Sequence, residues 1–436
     1  MRDGKHPSGR AVLPHARHLR VRRGGKTAVS GNVSETRFVI AGGGIAGTTA
    51  AEELRKRLPD AQITLVSEEF HPLYSRVLIP HYLQGKVPRE RVFLKKAAWY
   101  AQNRIEWLAG TFAQALDTKN AFVTLSDGRE LEYDKLLIAT GGQPRPADLE
   151  GRNVCHMQTV DDADHILKLL DEASYPSPLE GEGMGEVGRE PRGVVYGGGF
   201  IACEFVDLFA SRALPIEVRL RGDRFFSSSL DGASWEMLRT KLESSGVTLV
   251  TNCATSPLER GSMRGSVPAD SAAIVGLGLG LEAELSWIRE GGVEVGQGVK
   301  ANEYLETNAP NVWTAGDVAE FFDLSVGRQR MVGSWMNAQM QGRCVAANMA
   351  GERQPFCLVS SFATQLLGTP ITFVGDVMRE KADETKVLGD AATGIVQLFG
   401  RKGKLVGATL VGTATARQAA TTLIKEGRLI TDFSLK

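Results

Sequence analysis

The sequence predicts an α/β protein with two Rossmann-like dinucleotide-binding units and a small C-terminal α+β domain. A short apolar strand, a glycine turn and a helix occur near residue 40 and again near residue 196. The 436 residues are 42% hydrophobic, which is enough to bury two or three cores. Glycine is used 49 times, above its usual share of about 7%. Its clustering in the two turns therefore indicates a specific role.

The first unit begins directly after residue 36. Arg37–Ala41 is a strand-like apolar run, Gly42–Gly47 is a glycine turn, and Thr48–Leu58 has a helical pattern. Ile63–Val66 is a second strand, which completes a βαβ unit in about 30 residues. These elements predict the start of a parallel sheet.

The first turn matches GxGxxG at Gly42, Gly44 and Gly47. Such a turn lets backbone N–H groups approach a pyrophosphate at the positive end of a helix dipole. Glu68 lies 21 residues beyond Gly47, at the end of the second strand, where it can accept hydrogen bonds from a ribose. The combination predicts a dinucleotide site, although a GxGxxG pattern alone could be an ordinary tight turn.

The second unit repeats this order 155 positions later. Gly193–Tyr196 and Ile216–Leu220 read as strands around the turn Gly197–Ala202 and a helix over Cys203–Ala210. The turn keeps glycine at its first two positions but ends in alanine. The pattern predicts a second dinucleotide site formed by Gly197, Gly199 and Ala202.

No carboxylate stands where the second unit would contact a ribose 2′-hydroxyl. Leu220 occupies that place and is followed by Arg221, with Arg219 and Arg224 nearby. An arginine there suits a 2′-phosphate, so NADPH is favoured over NADH. The alternative is that these arginines only solvate a strand edge.

Composition along the chain predicts the domain boundaries. Residues 174–192 contain 11 Gly, Pro or Glu among 19 positions, which favours a disordered low-complexity insertion. After residue 351, strand-like Ile371–Val374, Gly394–Phe399 and Lys404–Val411 precede a helical pattern over 414–426. The predicted parts are a disordered basic tail (1–35), the first dinucleotide domain (36–158 and 300–352), the second, abridged one with its insertion (159–299), and an α+β domain (353–436).

Charge and cysteine content exclude several classes. Residues 1–34 carry eight Lys or Arg against Asp3, so the remainder is mildly acidic and does not suggest nucleic acid as a partner. The five cysteines form no CxxC pair, which speaks against a disulfide scaffold or a metal site. No continuous apolar stretch of about 20 residues predicts a membrane span, and a cytoplasmic protein is expected. The tail could instead be a transit peptide or a wrongly assigned start.

Further motifs give the chain a family resemblance. Ala139-Thr140-Gly141 and Gly316-Asp317 each follow a buried-type strand, and Pro72–Arg76 and Ser334–Arg343 are distinctive segments. With the two glycine turns, they resemble the FAD-dependent pyridine nucleotide-disulfide oxidoreductase superfamily from Thr36 to about Gly351. The most similar branch contains nitrite reductase flavin subunits, rubredoxin reductases and ferredoxin reductases.

The resemblance implies two cofactors, FAD and NADPH or NADH, with the NAD(P) domain inserted in the FAD domain. It implies that FAD is held by Gly42, Gly44, Ile45, Ala46, Gly47, Glu68, Arg76, Ala139, Thr140, Gly141, Gly316 and Asp317. It implies that the nicotinamide nucleotide is held by Gly197, Gly199, Ala202, Glu204 and Arg221. Glu204 would contact the nicotinamide end, or would only complement the dipole of its helix.

Three departures from the family pattern matter. Tyr74–Gly85 contains no cysteine, so a thiol step beside the flavin is not expected. Related ferredoxin reductases often have lysine where this chain has His81, which could lie by the flavin or in an exposed loop, the interpretation we favour. Between residues 250 and 272 a β-hairpin of the family is missing and only Ala269-Asp270 remains, so the nucleotide domain is abridged.

The sequence therefore predicts an NAD(P)H oxidoreductase that passes electrons through FAD to a separate acceptor. That acceptor would be a rubredoxin-like or ferredoxin-like carrier or a nitrite reductase partner, because this chain has no haem, iron–sulfur or zinc ligand spacing of its own. The alternative is an FAD-binding subunit or redox sensor that has lost nicotinamide binding. A monomer or homodimer is expected.

Overall fold

Residues 36–350 contain eight of the nine α-helices of the described residues together with strands, and strands predominate after that point. The computed structural model describes residues 36–147, 149, 151–174, 192–253 and 274–435. The α-helices are α1 (Ile45–Arg57), α2 (Ile79–Leu83), α3 (Ala97–Gln102), α4 (Val160–Ser174), α5 (Phe200–Ser211), α6 (Gly232–Ser244), α7 (Ser286–Glu290), α8 (Trp335–Met349) and α9 (Arg417–Lys425). The 3₁₀ segments are Arg76–Leu78, Arg89–Val92, Arg379–Lys381 and Ile430–Asp432.

The strands fall in the same order along the chain. They are β1 (Arg37–Ala41), β2 (Gln62–Ser67), β3 (Ile105–Ala109), β4 (Ala113–Asp117), β5 (Phe122–Leu125), β6 (Glu130–Glu132), β7 (Lys135–Ile138), β8 (Gln143–Pro144), β9 (Val154–Cys155), β10 (Gly193–Tyr196), β11 (Ile216–Arg219), β12 (Thr248–Val250), β13 (Ile274–Leu277), β14 (Leu281–Glu282), β15 (Val299–Ala301), β16 (Val312–Thr314), β17 (Ala319–Asp323), β18 (Arg328–Arg330), β19 (Ser361–Leu366), β20 (Thr369–Gly375), β21 (Glu384–Asp390), β22 (Gly394–Arg401) and β23 (Lys404–Val411).

The first sheet has the order β16-β7-β1-β2-β3, and all its pairs are parallel. Its central strands β1 and β7 are apolar and buried after their first residue, as expected where both faces of a parallel sheet are covered. Helix α1 packs against α8, and a Cβ on Gly342 of α8 would overlap the carbonyl oxygen of Ala46 in α1. The βαβ unit predicted from the first glycine turn is confirmed.

The second sheet has the order β12-β11-β10-β13-β9 and is also parallel. Helix α5 covers it with the buried rings of Phe205 and Phe209. A Cβ on Gly276 of β13 would lie 2.5 Å from the Phe205 ring, so glycine is the residue that fits at this position of the strand. The second βαβ unit is confirmed, but α5 begins at Phe200 and β11 ends at Arg219, not at Leu220.

The C-terminal sheet is antiparallel, in the order β19-β20-β23-β22-β21, with α9 packed on β20 and β23. Lys402 and Gly403 form the two-residue turn between β22 and β23. Helix α9 covers only Arg417–Lys425, not 414–426, and β19 and β21 have no counterpart in the sequence-based prediction. The predicted α/β class with an α+β C-terminal part is confirmed.

Strand β16 returns the chain to the first sheet by pairing with β7, although the second sheet lies between them in sequence. This supports the proposed insertion of one dinucleotide domain in the other, and the exact domain boundaries stay a proposal. Three features predicted from sequence lie outside the described residues: the basic tail, nearly all of the 174–192 insertion, and Ala269-Asp270. Within the described residues, no helix has the length and apolarity needed to cross a membrane.

Candidate functional site

A cleft with a volume of about 400 Å³, partly open to solvent, lies at the carboxyl ends of the strands of the first sheet. The residues that follow β1, β2, β7 and β16 all contribute to its walls. In parallel α/β sheets, ligands bind at this edge, where the direction of the strand order reverses. The cleft is therefore the candidate dinucleotide site.

The first glycine turn forms the floor of this cleft. Gly42 has φ +123°, and a Cβ there would overlap the carbonyl oxygen of Ala139. Gly44 begins α1 without any side-chain cap, and a Cβ added to it would meet no other atom within 4 Å. Gly47 is buried against the Gly42 carbonyl, which brings α1 close to β1. Uncapped N–H groups facing open space suit a pyrophosphate.

Polar groups for the sugar parts lie on both sides of the turn. The exposed carboxylate of Glu68 follows β2 and accepts a hydrogen bond of 2.9 Å from the side chain of Gln143. Asp317 follows β16 on the opposite wall. Burial raises the pKa of Asp317 to about 6, and the charge of Arg76 acts in the opposite direction. Hydrogen bonds from hydroxyl donors would stabilise the ionised form of such a half-buried carboxylate.

Arg76 is held in place by the segment that precedes α2. Its guanidinium lies 2.6 Å from Glu69, donates to the carbonyl oxygen of Gln158, and lies 5.5 Å from the centre of the Tyr74 ring. Tyr74 donates its hydroxyl to Glu69, and burial raises the pKa of that hydroxyl. The segment is thus a rigid wall with a positive charge beside the cleft.

The remaining FAD-site residues predicted from sequence also lie at this cleft, apart from Gly47, which packs beneath it. Gly316 donates its N–H to Gln341 Oε1 at 2.7 Å, which fixes the loop that carries Asp317. The amide nitrogen of Gln341 is buried and has no partner among the described residues. The residues that line the walls are Gly42, Gly44, Ile45, Ala46, Glu68, Arg76, Ala139, Thr140, Gly141, Gly316 and Asp317. We retain all twelve residues as the proposed FAD site.

The second glycine turn has the same backbone design but does not line this cleft. Gly197 has φ +120°, and a Cβ there would overlap the carbonyl oxygen of Gly278. Gly199 begins α5 without a side-chain cap and faces open space. Ala202 is buried, and its backbone nitrogen would lie 2.8 Å from a Cβ on Gly278. A second uncapped helix terminus is therefore available to a pyrophosphate.

Helix α5 connects the two turns. Its first residues, Phe200 and Ile201, line the cleft of the first turn together with Glu204. Glu204 accepts a hydrogen bond of 3.2 Å from Thr364. Burial, together with the charge of Asp207, raises the pKa of Glu204 to about 7. Of the two roles considered for Glu204, its position in the cleft wall supports contact with a bound ligand.

The arginines near the end of β11 differ in their partners. Arg219 is paired with Glu217 at 2.6 Å and Arg224 with Asp223 at 2.5 Å. Arg221 is exposed and has no ion-pair partner among the described residues. Arg219 shares Glu217 with Arg192, so Arg219 and Arg224 both have carboxylate partners that the sequence-based prediction did not include.

His81 is not in the cleft. Its side chain is exposed, as we expected, but His81 lies in helix α2 and not in a loop. The neighbouring residue Pro80 lines the cleft. We no longer include His81 in the proposed site. Sequence reasoning also missed His71, which lines the cleft and lies 2.8 Å from Asp161. Trp335 lines it too, within a segment that the resemblance singled out.

All five cysteines lie within the described residues, and none lines the cleft. Cys203 is buried in α5, and burial raises the pKa of its thiol. Burial also raises the pKa of Cys155 to about 12. Thiolates are scarce under these conditions, and thiol–disulfide exchange requires them.

Two glycine turns that each begin a helix, one of them lining the cleft and the other joined to it by the first residues of α5, are typical of an oxidoreductase that uses two dinucleotides. Residues 36–342 match the family model described as pyridine nucleotide-disulphide oxidoreductase, and the chain belongs to that family. Members use FAD with NADH or NADPH, so both cofactors predicted from sequence are confirmed. The chain is an NAD(P)H-dependent flavoprotein oxidoreductase.

Several characterised proteins are similar to this chain. The ferredoxin–NAD(+) reductase component of the biphenyl dioxygenase system from Paraburkholderia xenovorans is 29% identical over 396 residues, covering 89% of this chain and 92% of that protein. Putidaredoxin reductase from Pseudomonas putida is 30% identical over 341 residues, covering 72% and 74%. A solved covalent putidaredoxin reductase–putidaredoxin complex matches with TM-score 0.78 at 24% identity, covering 91% and 94%, which confirms the fold.

Proposed function

We propose that this chain takes a hydride from NADH or NADPH, passes the electrons through FAD, and delivers them to a small electron-carrier protein or a reductase partner. The observation that carries the proposal is the shared cleft. The first turn of α5 begins at the second glycine turn, and its residues Phe200, Ile201 and Glu204 line the cleft of the first glycine turn. Ligands held at the two turns would therefore meet.

The residues present fit FAD. Open space at Gly44 and the uncapped start of α1 leave room and donors for a pyrophosphate. Glu68 and Asp317 offer acceptors to sugar hydroxyls, and Arg76 places a positive charge at the wall near Asp317. Bound FAD supplies both hydride acceptance and one-electron release, which side chains cannot supply.

A one-electron carrier is the proposed acceptor because the cleft lacks a thiol. Reduction of a disulfide would need a thiolate beside the flavin, and none of the five cysteines lines the cleft. The names of the similar proteins include reductases of ferredoxin, of putidaredoxin and, in Clostridium acetobutylicum, of rubredoxin. A carrier of that kind is the partner that we propose for this chain.

The proposal also covers the preferred nicotinamide nucleotide, the cellular location and the oligomeric state of the protein. Arg221 supports NADPH, and because Arg219 and Arg224 already have carboxylate partners, that support comes from a single arginine. Where the names of these similar proteins state a nicotinamide nucleotide, that nucleotide is NAD(+) or NADH. A cytoplasmic location is proposed because the reaction draws on NAD(P)H, and a monomer or homodimer stays a prediction.

Anaerobic mixing of the purified yellow protein with NADPH or NADH tests the proposal directly. We expect the flavin absorbance to bleach and to return when an oxidised ferredoxin, a rubredoxin or ferricyanide is added. Failure of both nucleotides to bleach a fully occupied flavin would favour the alternative, an FAD-binding subunit or redox sensor. Bleaching followed by glutathione disulfide reduction would contradict the proposed acceptor.

A further inference from the structure

Helix α5 carries a second buried carboxylate, Asp207, one turn beyond Glu204. Residues three apart on a helix share a face, and this face packs against β19 of the C-terminal sheet. Asp207 is 8% exposed and accepts hydrogen bonds from the N–H of Leu367 at 2.6 Å and from the side chain of Gln365 at 2.8 Å. Asp207 thus anchors α5 to the β19–β20 turn.

Two carboxyl groups on one buried face disfavour each other's ionised form. Among the described residues, no cationic side chain lies within ion-pair distance of either one, and Lys86 acts on both only at longer range. Asp207 has two strong donors, whereas Glu204 has the single longer hydrogen bond from Thr364. The neighbouring thiol of Cys203 is buried and uncharged. The proton that the pair retains therefore resides on Glu204.

The charge on Glu204 matters because it faces the cleft. Oxidised nicotinamide carries a positive charge and reduced nicotinamide does not, so an ionised Glu204 would attract only the oxidised form. A protonated Glu204 offers no such attraction. The two protonation states thus differ in how tightly they retain the oxidised product.

We propose that Asp207 is a positioning residue that makes Glu204 a proton-dependent discriminator between oxidised and reduced nicotinamide. Asp207 fixes α5 on the β19–β20 turn and keeps a proton on Glu204 near neutral pH, which lets the oxidised nucleotide leave. This inference rests on the proposed function, because it requires a nicotinamide at the α5 side of the cleft.

The decisive measurement is the Kd of the FAD-loaded protein for NAD(P)⁺ between about pH 5 and pH 9, within which a carboxyl with a raised pKa titrates. We expect binding to tighten by roughly tenfold through a midpoint near neutral pH. Glu204→Gln should abolish the transition. Infrared titration of the protonated carboxyl band, which Glu204→Gln should remove, gives the same midpoint without any turnover.

Two variants should move the midpoint in opposite directions. Asp207→Asn removes a negative neighbour and should lower the midpoint by about one pH unit. Thr364→Val removes a hydrogen bond to the carboxylate and should raise it. Asp231→Asn is the matched control, because Asp231 is equally buried but caps α6 at Ser234. Its midpoint should equal that of the unmodified protein.

Unchanged midpoints in both Asp207→Asn and Thr364→Val would overturn the inference, and so would shifts in the same direction. If Asp207→Asn does not fold, the direction of the Thr364→Val shift still decides. A protein whose flavin is not reduced by either nucleotide would refute the proposed function instead. The two failures are therefore distinguishable.

Discussion

The two glycine turns of this molecule share one backbone design and differ in what surrounds it. Gly42 and Gly197 have nearly the same φ, +123° and +120°, and at each a Cβ would overlap a carbonyl oxygen of the adjacent strand end. Gly44 and Gly199 both begin a helix without a side-chain cap. The turn itself therefore specifies only that a dinucleotide phosphate can bind.

The residues after the second strand of each unit differ in charge. Glu68 offers a carboxylate to the first site, whereas the second unit has buried Leu220 followed by exposed Arg221. The surroundings of the two turns differ as well. The first turn lines the cleft, whereas the second turn is joined to the cleft only by residues of α5. The comparison indicates that two turns of similar backbone design can serve different ligands, with the residues about 20 positions downstream making the difference.

The largest expected effect is loss of FAD from Gly44→Val. The new side chain would occupy the open space above the start of α1, and two or three charge-assisted hydrogen bonds would be lost. We expect FAD affinity to fall by roughly 100-fold or more, giving colourless protein. Flavin content per folded chain is the measurement, with far-ultraviolet circular dichroism as the control for folding. A fully yellow variant would contradict the FAD assignment of the first turn.

The matched change in the second turn is Gly199→Val. Since Gly199 also faces open space, the variant should fold and stay yellow. Flavin reduction by NADPH and NADH should slow by roughly 100-fold at low nucleotide concentration. Stopped-flow absorbance measures this rate. A variant that loses FAD but keeps its nucleotide affinity would show that the two assignments are reversed.

Arg221→Ala should affect one nucleotide more than the other. Loss of an arginine–phosphate contact should lower kcat/KM for NADPH by about tenfold and leave NADH within about twofold. Arg224→Ala is the control, because Arg224 is already paired with Asp223. Equal or better reduction by NADH in the unmodified protein would refute the preference for NADPH.

FAD affinity should depend on pH through Asp317. Its pKa is raised to about 6 in the free protein, and hydroxyl donors from FAD favour the ionised form, so affinity should rise as pH rises. The expected gain is about fourfold between pH 5.5 and pH 7, and Asp317→Asn should flatten the curve. Equilibrium titration of FAD-free protein gives both curves. Tighter binding at the lower pH would contradict this role.

The smallest expected effect concerns the cysteines. Because none lines the cleft, replacing each one singly by alanine should change the ferricyanide reduction rate by less than about threefold. Cys203→Ala is the most informative, since Cys203 lies in α5 beside Glu204. Loss of turnover with FAD still bound would require a covalent thiol step, and the proposed acceptor class would be wrong.

The sequence predicted what depends on local pattern. The βαβ units around Gly42 and Gly197 were predictable because strand, turn and helix follow one another within 30 residues. The hydrogen bond from Thr364 to Glu204 was not predictable, since the two residues are 160 positions apart, one in β19 and the other in α5. The ion pair of Arg219 with Glu217 was also missed, although alternation places residues two apart on the same face of a strand.

The pairing of β16 with β7 also governs the order in which the molecule can assemble. About 170 residues separate these strands, so the ribosome needs roughly 10–35 s after β7 to produce β16. During that interval the first sheet lacks an edge strand and the loop bearing Asp317, whereas the last strand of the second sheet, β13, is synthesised before β16. Cofactor capture therefore comes late in biosynthesis, and a chain stalled before residue 312 would leave the unpaired edge of β7 open to aggregation.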